Sequence, residues 1–364
     1  MDTVAITKCQ NYSKEEVYAK IQEVADASAF PDVKGKRVLV KPNILSDSPV
    51  EKGITTNPQV VAAVIRLCQE RGAGEVLVGD SPGLHTPHFS ARSCGIAAVC
   101  EESGARWVDF SDSPVTKNLD NGESVHIARV LDEVDMTISV AKFKTHQLMY
   151  TTGAVKNLFG IMPGLNKSPM HLRHPSREDF AAFITSLFSL AKVSYAFIDG
   201  IIAMEGAGPA NGTLRHLGLL LGGADAYLVD KAQAIIMGYD WRDIPVLAAA
   251  QEKGHRMEGE VYSILDAHEL TVADFQKIDV EKPRGLFSSL ILPFFTRGLK
   301  RRKEKMRPAP RFDDAKCVHC LRCMKICPAK ALSHSDRIEI DTHKCIRCYC
   351  CAEMCPADAI EVEG

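Results

Sequence analysis

Arg37-Val38-Leu39-Val40-Lys41-Pro42-Asn43 is a short apolar run that breaks into polar residues at a proline. Asn57-Pro58 follows and opens a helical pattern through Glu70, with Asn as cap and Pro in the first turn. Gly72-Ala73-Gly74 closes that pattern, and Glu75–Asp80 is the next apolar run. Strand, helix and strand in this order form the repeating unit of a parallel sheet. The alternation extends both ways. Upstream lie a strand at Val4–Thr7 and a helix at Glu15–Ala27. Downstream come a helix at Phe89–Ser103, strands at Trp107–Phe110 and Asp135–Lys142, and a helix at Arg177–Lys192. Strands at Ala196–Gly200 and Leu217–Leu221 and a helix at Ala226–Met237 complete the series. The expectation is a large, mostly parallel α/β domain over residues 1–284.

Composition narrows the function classes. The formal net charge is -2 and 46% of residues are hydrophobic, so bulk nucleic-acid binding is not expected. No charged-then-apolar leader opens the chain, and no apolar stretch reaches the roughly 18–20 residues of a membrane span. A cytoplasmic protein with reduced thiols is expected. Of the 13 cysteines, Cys9, Cys68, Cys94 and Cys100 are scattered and read as buried, inert thiols.

The other nine crowd the C-terminal end. Cys317, Cys320, Cys323 and Cys327 with Pro328 spell C-x2-C-x2-C-x3-C-P, and Cys345, Cys348, Cys351 and Cys355 with Pro356 repeat it 28 residues later. Lys316–Leu332 and Lys344–Ile360 share eight identities, an internal duplication. Three cysteines at this spacing turn the chain around one iron–sulfur cube, and the fourth ligates the other cube. The expected sets are Cys317, Cys320, Cys323 and Cys355 for one [4Fe–4S] cluster, and Cys345, Cys348, Cys351 and Cys327 for a second. Cys350 aligns with Arg322 and is surplus. The spacing does not fit zinc, and disulfides need an oxidising compartment. The run is similar to that of bacterial two-cluster ferredoxins, which implies a small α+β domain over residues 312–364.

Residues 285–311 read as a linker. Leu286–Phe295 is apolar, and the stretch from Arg297 to Arg307 is strongly basic. A helix packed on the body with a solvated face is the plainer reading. Peripheral docking on an anionic membrane or an acidic partner is the sharper one.

In the body, polar residues gather where strands end, which is where parallel sheets bind ligands. Lys41, Asn43, Asp80, Lys142, Lys156 and Asn157 form the expected binding set. Lysine supplies charge, Asn orients hydrogen bonds, and neighbouring glycines admit backbone amides, a combination suited to an anionic small molecule. His146, Glu205 and Lys144 are the catalytic candidates: Lys142 and Lys144 should hold His146 neutral as a general base, and Glu205 is the matching carboxylate. His85 with His88, and His171 with His174, read as loop or surface histidines crowded by prolines. No phosphate loop and no dinucleotide fingerprint occur.

These residues together resemble the iron–sulfur-centre family called domain of unknown function 362. The resemblance rests on Val40-Lys41-Pro42-Asn43, Thr56-Asn57-Pro58, Gly79-Asp80-Ser81, Lys142-Phe143-Lys144-Thr145-His146, Val155-Lys156-Asn157-Leu158-Phe159-Gly160, Asp199-Gly200 and Glu205-Gly206-x-Gly208-Pro209, over roughly residues 2–240. It implies that the strand-end residues share one site, and many members of that family end in a two-cluster segment, as here; it implies no particular reaction. Two functions stay open. One is a reductase-type enzyme passing electrons from the tail to an anionic substrate or bound centre in the body. The other is a non-enzymatic electron carrier or accessory protein docking on a redox partner, donor or acceptor.

Overall fold

The computed structural model describes residues 2–83, 91–263, 270–280 and 307–362. The linker residues 285–306, and with them most of the apolar and basic stretch, lie outside these, as do His85 and His88. In chain order the body contains β1 (Thr3–Lys8), α1 (Lys14–Ala27), β2 (Arg37–Pro42), α2 (Pro58–Glu70), β3 (Glu75–Asp80), α3 (Ile96–Ser103) and β4 (Arg106–Asp109). A hairpin of β5 (Val115–Asn118) and β6 (Ser124–Ile127) leads through α4 (Val130–Glu133) to β7 (Met136–His146), β8 (Tyr150–Thr152) and α5 (Ala154–Asn157). Then come α6 (Ser168–Arg173), α7 (Arg177–Phe188), β9 (Val193–Glu205), β10 (Thr213–Gly223), α8 (Ala226–Ile236), α9 (Pro245–Glu252) and β11 (Glu260–Ser263).

Among the described residues one nine-stranded sheet runs β11-β1-β10-β9-β7-β2-β3-β4, with β8 folded back on β7. The strands β9-β7-β2-β3-β4 are mutually parallel, and β10 is antiparallel to both of its neighbours. The reversal of β10 has a local cause. Only residues 206–212 connect it to β9, too few for the crossover that a parallel pair requires. Helices cover both faces: Val17, Val60 and Ile96 pack one side, and Phe180, Val229 and Val246 the other. The central strand β7 is therefore buried along its whole length.

Capping follows the sequence. Asn57 Oδ1 accepts the Gln59 N–H at 2.9 Å with Pro58 in the first turn of α2. Helix α3 begins at Ile96, after Gly95 with a left-handed φ of 76°; the expected start at Phe89 lies outside the described residues. Pro169 lies in the first turn of α6, so His171 sits inside a helix and not in a loop. Among the described residues no helix is long and apolar enough to cross a membrane.

The tail repeats itself in structure as in sequence. Helix Arg322–Ile326 packs on helix Cys350–Glu353, and two ribbons flank them, Arg311–Phe312 with Ile360–Glu361 and Leu332–His334 with Ile338–Ile340. Left-handed residues recur at the 28-residue offset: His319 and Arg347, Leu321 and Tyr349, Lys330 and Asp358. Three left-handed turns per run are a costly backbone, and they curl each loop around its cysteines.

Candidate functional site

Three groups of side chains occupy the carboxyl end of the sheet. The first is built on β2 and β3. Lys41 Nζ lies 2.7 Å from Asp80 Oδ1 and donates to Asn157 Oδ1 at 3.0 Å. Asn157 Nδ2 returns a bond to Lys41 O at 3.1 Å, and Asn43 Nδ2 reaches Asn157 Oδ1 at 3.4 Å. A Cβ on Gly160 would collide with Asp80 Oδ1 and lie 2.6 Å from Lys41 Nζ, so glycine is what lets the pair close here. Asp230 fixes Asn157 from below: its carboxylate accepts the Ala154 and Val155 amides at 2.5 and 3.0 Å, capping α5.

The second group is on β7 and β9. Lys142 stands opposite Asp199 in register, with Nζ 2.7 Å from Oδ2. Tyr12 Oη donates to Asp199 Oδ1 at 2.8 Å and accepts from Lys142 Nζ at 3.0 Å. The Asn57 amide donates to Asp199 Oδ2 at 3.0 Å. This network is closed and neutral.

The third group joins body to tail. His146 Nδ1 accepts the Leu148 and Met149 amides at 3.1 and 3.3 Å. Its proton therefore sits on Nε2, which faces Glu353 Oε1 at 3.2 Å. Burial, reinforced by Lys156, pushes His146 down to about 4, and Glu353 falls to about 2 because His146 and Lys156 outweigh its own desolvation. Both imidazole nitrogens are thus occupied, and His146 serves as a neutral donor. The cause also differs from expectation: burial dominates and Lys156 comes next, with Lys144 a smaller contributor.

Three lysines here have no carboxylate at ion-pair distance among the described residues: Lys144 and Lys156 interact with this pair, and Lys167 with Lys41 and Asp80. Lys144 Nζ donates to Ile54 O at 2.7 Å, and burial beside Lys156 and Lys142 lowers it to about 7. Lys167, also lowered to about 7 by burial, donates to the Ser81 carbonyl and to Pro82 O at 3.4 Å. Lys156 makes no hydrogen bond or ion pair within the described residues; burial lowers its pKa, and Glu353 and Cys350 oppose that.

Glu205 lies elsewhere. Its Oε2 accepts the Gln276 amide at 3.0 Å and faces Arg215 at 3.2 Å, tying the end of β9 to residues 270–280. His171 is stacked on Phe180 at 4.2 Å, and His174 faces Glu123 at 3.0 Å, so the two do not converge. Cys9, Cys68, Cys94 and Cys100 are buried, and burial raises all four thiols. Arg307, read in sequence as part of a solvated basic face, is only 3% exposed.

The tail cysteines fit an iron–sulfur group by their chemistry. Cys327 lines one small cavity with Cys345, Cys348 and Cys351, although it belongs to the other run. Cys323 has Cys317, Cys320 and Cys355 as its thiol neighbours. Amides point at sulfur in both halves: Ala331 N to Cys327 Sγ and Ala359 N to Cys355 Sγ, each 3.3 Å. Cys350 lines the same cavity as the second set and is buried. A cleft of about 370 Å³ opens between body and tail, bordered by Gln147, Asn211, Lys316, Glu353 and Asp358.

Sequence reasoning missed Lys167, Asp230 and Glu353. Glu353 carried a signal, since it replaces Lys325 of the first run with the opposite charge.

Comparison with known proteins agrees with this geometry. Residues 38–234 match the family described as Domain of unknown function (DUF362), and residues 309–356 match the 4Fe-4S dicluster domain. The second match gives the tail an iron–sulfur role. A thylakoid-associated protein of Synechocystis sp. is 32% identical over 223 residues, 60% of this chain and 68% of that one. Among solved structures, the lactate racemase apoprotein from Thermoanaerobacterium thermosaccharolyticum is 12% identical with a TM-score of 0.43. A structural-genomics protein from Thermotoga maritima is 13% identical with a TM-score of 0.40. Each match covers 64% of this chain, and the chain spans 56% and 60% of those two proteins.

Proposed function

The chain belongs to the family described as a domain of unknown function (DUF362), and from that premise we propose an iron–sulfur oxidoreductase acting on an anionic small molecule held at the carboxyl end of the sheet. Two [4Fe–4S] clusters complete the reading, held by Cys317, Cys320, Cys323 and Cys355 and by Cys345, Cys348, Cys351 and Cys327. Bound there, such clusters supply one-electron transfer, commonly at low potential. A cytoplasmic location belongs to the same reading, because thiols stay reduced there.

One observation carries the proposal. The second cysteine run sits on the body through Glu353 and His146, beside Lys144, a fully buried lysine held by the Ile54 carbonyl with no carboxylate at ion-pair distance among the described residues. A buried cation without a counter-ion costs free energy unless a ligand supplies the charge. Lys144 therefore holds the anion, with Lys156 and Lys167 adding positive charge and Asn43 and Asn157 orienting it. Lys144, poised at about 7, moves the proton. His146 positions Glu353, and Glu205 holds the loop after β9.

The test uses anaerobically reconstituted protein reduced with dithionite and titrated with small carboxylates and phosphate. A bound anion should change the electron paramagnetic resonance spectrum of the reduced protein, and Lys144→Met and Lys156→Met should abolish that change with iron content intact. No spectral response to any anion would remove the substrate site. The carrier reading, without a reaction of its own, is favoured by the exposure of Cys320 in the first run, and it predicts that same absence of response.

A further inference from the structure

The duplication places one loop in two surroundings, and the residues that differ between the copies divide by surroundings. In the second run, Arg347 Nε donates to Arg307 O at 2.6 Å and Tyr349 Oη to Pro308 O at 3.1 Å. Cys350 is buried and Glu353 faces His146. Every one of these is a contact inward. The matching residues of the first run are His319, Leu321, Arg322 and Lys325. His319, Arg322 and Lys325 are exposed, and neither Arg322 nor Lys325 makes an ion pair among the described residues. Val318, in the same loop, is 63% exposed, and its neighbour Cys320 is exposed as well. From Lys316 to Lys330 there are four cations and no carboxylate; Lys316 pairs with Asp313 and Glu361, which leaves Arg322 and Lys325 as the charges beside Val318 and Cys320.

The two copies started alike, so these differences mark what each loop touches. A small apolar centre beside cysteine ligands, rimmed by unpaired positive charge, has the anatomy of a short-lived electron-transfer interface. Rim charges of one sign steer a partner of the other and set its on-rate. We propose that the face formed by Val318, Cys320, Arg322 and Lys325 docks an acidic one-electron carrier protein. This rests on the iron–sulfur reading of the tail. It gives the two runs separate duties: the first meets a partner, and the second meets the body.

The test uses the reconstituted full chain and an acidic flavodoxin as probe, with affinity measured by calorimetry at low and high salt. Arg322→Glu with Lys325→Glu should weaken binding about ten-fold at low salt and flatten its salt dependence. Lys14→Glu, an exposed charge reversal on α1, should change it little. Iron and sulfide content and the visible spectrum should match wild type in all variants. Flavodoxin binding that is absent in wild type, equal in the double variant, or equally weakened by Lys14→Glu would overturn the proposal. So would binding to vesicles of anionic lipid that the double variant loses while flavodoxin binding persists. The anion-induced spectral change, driven by dithionite, needs no partner; its retention in a variant that no longer docks separates this face from the site in the body.

Discussion

Two sets of lysines are buried within one end of the sheet, and they differ in a single respect. Lys41 and Lys142 each face a carboxylate at 2.7 Å, in pairs that are at most 2% exposed. Lys144 is 0% exposed and Lys167 7%, and both are held by backbone carbonyls. A closed ion pair needs nothing further, and breaking it leaves a stranded charge. A cation held by carbonyls alone still lacks its counter-ion. The paired set belongs to the architecture, and the unpaired set is the one the proposed anion would neutralise.

The comparison can be broken at several points. Asp199→Asn strands Lys142 in the sheet and should cost about 3–5 kcal/mol in urea unfolding; a loss under about 1 kcal/mol would deny the pair its structural role. His146→Phe removes the donor to Glu353. It should cost about 1.5–3 kcal/mol and speed hydrogen exchange through residues 345–355 more than through 317–327. Equal exchange in both runs would mean that His146 does not anchor the tail. Lys144→Met should leave stability within about 1 kcal/mol of wild type, or raise it, while abolishing the response to anions. A large loss of stability would move Lys144 into the paired class.

A further test lies in pH. Lys144 and Lys167 are lowered to about 7, whereas an unfolded lysine titrates near 10.4. Between those values the unfolded chain binds more protons, so these two residues make the fold more stable as pH rises from about 7 to about 10. Below about 7 both states are protonated and the burial cost is felt in full. Urea midpoints of wild type and the Lys144→Met, Lys167→Met double variant should therefore converge as pH rises through that window. Parallel curves would place both lysines in solvent.

How much of this could be read from the sequence depends on how local each feature is. The cysteine sets depend on spacing within about forty residues, and the fold reproduces the 28-residue offset down to its left-handed positions. The strands were legible because β2, β3 and β7 are buried on both sides and read as apolar runs. The direction of β10 was legible too, in the short span 206–212, but only once strand ends were placed correctly. Glu205 was not. Its partners Arg215 and Gln276 come from the register of β10 against β9 and from a distant segment, neither of which a strand-end glycine loop reveals. Likewise Lys142 and Lys144, two residues apart on one strand, were read as offering the same positive charge to His146. Only the pairing of β7 with β9 shows that Asp199 neutralises one and not the other.

The crossed grouping of cysteines has a consequence for how the protein is made. The set containing Cys327, Cys345, Cys348 and Cys351 is complete once residue 351 has been synthesised. The set containing Cys317, Cys320 and Cys323 waits for Cys355. The ribosome therefore completes the inward-facing cysteine set first, and a chain cut short between residues 351 and 355 would carry all four cysteines of the set that adjoins the body while lacking one cysteine of the more exposed set.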